Sequence, residues 1–137
     1  MLDMTIQNEK APVNTELLKH MNTFCEANRE IMLVSLCTTD GFPISCVSIK
    51  ELREQSDKFA AMSSTLSALS DSSASQMKQG NCNITIVEAT SGNILLVKTD
   101  YVGKPCVLTV VAQNKMSLAE ARYKTKKLIG KIATITE

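Results

Sequence analysis

Residues 31–49 read IMLVSLCTTDGFPISCVSI. The first seven are apolar on both faces and rich in β-formers, too short for a free-standing helix and well suited to a buried strand. Thr39, Asp40 and Gly41 supply turn chemistry, and residues 42–49 resume the extended pattern, so the stretch predicts a β-hairpin. Pro43 has no N–H to give a ladder, which places it at a strand start or on a free edge.

Outward from the hairpin, the chain alternates between the two periodicities. Leu17, Leu18, Met21, Phe24 and Cys25 recur at helical spacing, which predicts an amphipathic helix over 15–28 capped by Asn14. Residues 1–13 read as a flexible arm, leaving 14–137 as one domain. After a charged loop at 50–55, residues 57–79 form the longest helical segment, with Gly80 available to end it in the left-handed conformation. Three strand-like runs follow, at 82–89, 94–99 and 106–112, with turns at Ser91-Gly92 and 101–103. Ser117 and Glu120 make a capping box for a last helix bearing Leu118, Ala121, Thr125, Leu128 and Ile132 on one face. The expected fold is α+β: a five-stranded antiparallel sheet with helices packed on its faces.

The 137 residues suffice for one core, and 44% hydrophobic with 21% charged residues is a globular balance. A net charge of +1 gives no global field for nucleic acid or an anionic membrane. The charge is uneven: in residues 115–137 six cations against two carboxylates leave +4. That basic helix comes with few aromatic side chains to stack on bases, so no nucleic-acid partner is expected. No apolar run is long enough to span a bilayer, and the first residues show neither a basic nor an apolar leader region, so a cytoplasmic protein is expected.

Catalytic chemistry has little to work with. The cysteines, Cys25, Cys37, Cys46, Cys82 and Cys106, are odd in number and scattered. They read as reduced, small apolar groups, with no metal-ligand spacing and none of them near the single histidine, His20, which lies mid-helix between apolar positions. There is no glycine-rich phosphate loop. No catalytic set, cofactor or metal is expected.

The 57–79 helix is the informative element, because between Lys58 and Lys78 it carries one charge, Asp71. A solvent-facing helix ordinarily shows several. On a helical projection, Phe59, Met62, Leu66, Leu69, Ser73 and Met77 form the stripe expected to face the sheet. Ser63, Ser67, Ser70 and Ala74 form a flank of small residues where a second helix could approach closely; the alternative is a Ser-rich exposed helix of weak propensity. The following strand, with Ile84 and Ile86, makes a sticky edge if left bare. Together these predict a homodimer through Ser63, Ser67, Ser70, Ala74, Ile84 and Ile86. Ser64, Asp71, Ser75 and Lys78 project away from the sheet and are the expected partner-binding positions.

These segments resemble the roadblock (dynein light chain) family. Residues 33–44 are similar to its first hairpin, with an Asp-Gly-x-Pro-Ile turn; residues 57–62 resemble the start of its central helix; and 84–89, 93–97 and 107–112 resemble its closing strands. The likeness spans about 14–133, and departs at Lys104-Pro105, which reads as an inserted turn, and in the Ser-rich helix and five cysteines. The resemblance implies a five-stranded antiparallel sheet with the long central helix on one face and the two terminal helices on the other. It also implies a dimer through the central helix and its neighbouring edge strand. Members of the family serve as dynein light chains, lysosomal scaffolds and regulators of Ras-like small GTPases, and one bacterial class stimulates GTP hydrolysis as a dimer without inserting an arginine. The implied function is a non-enzymatic regulator or scaffold of a Ras-like small GTPase. The alternatives are a subunit of a motor-type assembly, or a small-molecule sensor of related build.

Overall fold

The computed structural model describes residues 4–7 and 15–136. The elements run β1 (Met4–Gln7), α1 (Thr15–Ala27), β2 (Ile31–Thr38), β3 (Pro43–Ile49), a 3-10 turn (Lys50–Leu52), α2 (Ser56–Gln76), β4 (Thr85–Glu88), β5 (Gly92–Tyr101), β6 (Lys104–Gln113) and α3 (Leu118–Ala133). The sheet is antiparallel in the order β1-β3-β2-β6-β5-β4. The five expected strands are all present, with α2 on one face and α1 and α3 on the other.

Two expectations are corrected. Met4–Gln7, read as part of an arm, adds a sixth strand that pairs with β3 from Met4 opposite Ile49 to Gln7 opposite Cys46. Four residues give too short an alternation to register against a loop. The rest of the expected arm, and the cap at Asn14, lie outside the described residues. Lys104 and Pro105 are not an insertion: they begin β6, opposite Tyr101 and Asp100. The turn is Val102-Gly103, both at positive φ (49° and 75°), the two-residue geometry whose twist matches antiparallel strands. Pro43 is the first residue of β3, where a missing N–H costs the ladder least.

Most of the core lies between the sheet and the α1/α3 layer. Leu17, Met21 and Cys25 of α1 and Ala121, Leu128 and Ile132 of α3 close over Val34, Leu36, Val47, Leu95, Leu108 and Val110. Ser117 caps α3, its hydroxyl accepting from the Glu120 N–H at 3.1 Å. The α2 face is built differently. Its buried cluster is only Cys37, Ala60, Leu96 and Val107, with Ile94 beside it.

Register explains the difference. Leu33 faces Ser48, Ser35 faces Cys46 and Thr109, and Cys37 faces Val107, so one side of β2, β3 and β6 carries mostly small or polar side chains. A helix with equally small residues can settle close to such a surface. α2 does so with Ser56, Ala60, Ser63 and Ser67, all buried. The Thr109 hydroxyl donates to Ser63 Oγ at 2.7 Å, and the Cys37 thiol donates to the Ala60 carbonyl at 3.7 Å.

An unpartnered flank on the central helix

The seating of α2 reverses its expected orientation. Ser63 and Ser67, assigned to a dimer seam, are 5% and 8% exposed and lie against the protein's own sheet. Ser70 and Ala74 are half-buried on the same side. The large residues assigned to the sheet are turned outward: Met62 is 51% exposed, Leu66 37%, Leu69 60% and Met77 72%. The physical reason is volume. Small side chains on the sheet admit only a small-residue stripe, which rotates the bulky stripe onto a flank.

That flank overlooks an apolar groove of about 210 Å³, floored by Leu33, Ile94, Leu96 and Val111 and walled by Phe59, Met62 and Leu66. β4 ends the sheet, paired only with β5 among the described residues. Ile84 and Ile86 are half-buried and pack on the main core beneath, so this edge offers its backbone more than those two side chains. An exposed helix stripe, an apolar groove and a sheet end therefore occur in one small chain. Singly exposed apolar residues are ordinary; a row of them beside such a groove marks an interaction surface.

The opposite flank of α2 holds the four expected partner-binding residues, and the structure divides them. Ser64 is half-buried, its hydroxyl donating to the Ala61 carbonyl at 3.1 Å. It lies beneath the β2–β3 turn, where a Cβ on Gly41 would come within 3.1 Å of its oxygen. Asp71 is tied down: Lys98 of β5 pairs with it at 2.8 Å, and the Cys82 N–H donates to it at 3.1 Å. Ser75 and Lys78 are exposed at the helix end. Lys78 takes the left-handed cap conformation there, with φ 63°, although Gly80 was expected to fill that role; the Gln79 N–H donates to the Ala74 carbonyl at 2.8 Å. Phe42, read as the start of the extended run 42–49, lies instead at the hairpin tip, 68% exposed, just before β3 begins at Pro43.

Asp71 is thus an anchor between helix and loop. The Lys98 ammonium, followed by the Cys82 N–H, holds its carboxyl below the usual carboxylate range. A lowered native value means that its contribution is complete above the unfolded pKa and fades as pH falls through the native one. Asp71→Asn is expected to speed hydrogen exchange at the Cys82 amide at neutral pH. As pH falls through the lowered native value, the wild type's protection at that amide should converge on the variant's at the same pH; unchanged protection in the variant at neutral pH refutes the anchor.

The cysteines contribute packing. Burial pushes the Cys25 and Cys37 thiols up to about 12 and Cys106 to about 11, so all three are protonated and poorly nucleophilic at neutral pH. Cys82, half-buried, has its sulfur near the Ile84 carbonyl and the Thr85 hydroxyl. Among the described residues, no cluster of His, Cys, Asp or Glu could hold a metal ion, and no helix is long and apolar enough to cross a membrane.

Solved structures share this arrangement across most of the chain. Myxococcus xanthus MglB superposes with a TM-score of 0.73 at 18% identity, covering 87% of this chain and 93% of that one. The roadblock/LC7 domain from Streptomyces avermitilis gives 0.71 at 20% identity, over 83% and 92%. An MglB in a tetrameric arrangement gives 0.71 at 13%, over 93% and 94%. The chain has the roadblock fold. No family model matches the sequence, and no curated protein matches it. At these identities the likeness is one of fold.

Proposed function

We propose that the protein is a non-enzymatic, dimeric regulator or scaffold of a Ras-like small GTPase, and that it dimerises through the bulky flank of α2 and the β4 edge. The observation that carries this reading is the outward stripe of Met62, Leu66 and Leu69 beside an apolar groove and a sheet end. A second copy's α2 supplies the apolar cover that the groove lacks, and β4 can continue the sheet across a two-fold axis. Two such helices side by side make a platform of low charge that is cheap to desolvate, with Ser75 and Lys78 at its ends. The GTPase as partner class rests on the likeness to the roadblock family and to the MglB structures.

GTPase switch loops change order with the bound nucleotide, so a regulator that docks on them distinguishes nucleotide states. Calorimetric titration with the small GTPases of the same cell is expected to show at least about tenfold tighter binding with a non-hydrolysable GTP analogue than with GDP. Equal affinities would reduce the protein to a passive scaffold. Failure to bind any of them would remove the GTPase and leave the dimer to be judged separately.

A further inference from the structure

The opposite layer of the molecule holds a second cavity, of about 290 Å³, between α1 and α3. Its floor is apolar, from Phe24, Ala27 and Leu128, and its rim is basic, from Lys124, Lys127, Lys131 and His20. We propose that this cleft binds a phosphate monoester attached to a compact apolar body.

Three features support that chemistry. The lysines are spaced 3 and 4 along α3, so all three residues border the cleft, whereas Arg122 and Lys126 are exposed and do not line it. Two of the lysines are positioned before any ligand arrives. Lys124 donates to Asn28 Oδ1 at 2.5 Å and pairs with Glu120 at 2.7 Å, and Lys127 lies 5.5 Å from the centre of the Tyr123 ring. The carboxylates at the margin, Glu120 and Glu16 (3.5 Å from His20), offset only part of this charge and leave a net positive rim. Lysines along one wall of a cleft with an apolar floor suit a phosphate oxyanion whose substituent rests on that floor. Three of the six cations of residues 115–137, Lys124, Lys127 and Lys131, line this cleft.

The cleft and the α2 groove lie on opposite faces of the sheet, so the proposal stands independently of the dimer and of the GTPase. The phosphate monoester could be soluble or could be the headgroup of a lipid. Two probes separate these sources: 4-methylumbelliferyl phosphate followed by fluorescence anisotropy, and vesicles of neutral phospholipid with or without phosphatidic acid followed by co-sedimentation. With the full chain at about 0.15 M salt, saturable binding of at least one probe is expected. Lys127→Gln with Lys131→Gln should weaken it at least about tenfold, and replacement of both by Arg should retain most of it. Arg122→Gln with Lys126→Gln removes the same charge from the outer surface and should change affinity less than about twofold. Binding of the soluble probe identifies a small-molecule site, and binding of the vesicles alone identifies a lipid headgroup. Equal weakening by the two charge-matched pairs would show general electrostatic attraction and overturn the proposal, as would failure of both probes to bind.

Discussion

Replacing Leu66 and Leu69 together with Arg is expected to convert a dimer into a folded monomer. Each leucine is well exposed in the single chain, at 37% and 60%, so neither substitution opens a hole in the core. The thermal midpoint should therefore change little once the loss of dimer linkage is allowed for. In a two-fold assembly each side chain occurs twice, so four leucines leave the interface and four like charges enter it close to the axis. Fully burying a leucine is worth roughly 1.5–3 kcal/mol. Even partial burial of the four removes on the order of 4 kcal/mol, or about a thousandfold in dissociation constant, before repulsion is counted. Sedimentation equilibrium near 10 µM should show a dimer for the wild type and a monomer for the variant. A wild type that is monomeric at that concentration, or a variant that remains dimeric, rules out the α2 flank as the interface. If a GTPase docks on the paired helices as proposed, the same variant should also lose nucleotide-dependent binding.

The route from sequence to this surface was only partly legible. Strand periodicity and turn chemistry located β2 and β3, and the capping box located α3, because those signals are local: alternation, a Gly at a turn, a hydroxyl three residues before a glutamate. The orientation of α2 is not local. Its two stripes, bulky and small, repeat at the same spacing of 3 and 4, so periodicity alone cannot decide which is buried. Hydrophobicity favours the bulky stripe and shape favours the small one. The deciding information sits on other strands, in the alternation that gathers Ser35, Cys37, Cys46, Ser48 and Thr109 on one face of the sheet. Those residues were visible in the sequence, but their common face emerges only when the strands are placed in register. The α1/α3 cleft was hidden for a related reason: the lysine spacing is plain, but His20 comes to it from α1 and Asn28 from just beyond the end of α1.

The sharpest consequence of that orientation is at Ser67, where Arg is expected to damage the fold rather than the dimer alone. If the small stripe formed a free helix–helix seam, an Arg there would reach solvent in the monomer and the chain would stay folded. In the structure Ser67 is 8% exposed, one turn beyond Ser63, whose hydroxyl receives the Thr109 hydrogen bond, and two turns beyond Ala60, which is fully buried. An Arg at 67 must either bury an unpaired guanidinium against the sheet or lift α2 away from it. Lifting the helix breaks the Ser63–Thr109 hydrogen bond and exposes Cys37, Leu96 and Val107. The cost is expected to be about 3 kcal/mol or more, in the range seen when a charge is buried without a partner. Ala60→Leu isolates the steric part: it adds no charge at a fully buried site and should cost about 1–3 kcal/mol by overpacking. Urea unfolding of both variants, each in a Leu66→Arg/Leu69→Arg background, measures these losses free of any contribution from dimerisation. Losses below about 0.5 kcal/mol in that monomeric background would mean that the small stripe faces solvent, and the docking of α2 would have to be reversed.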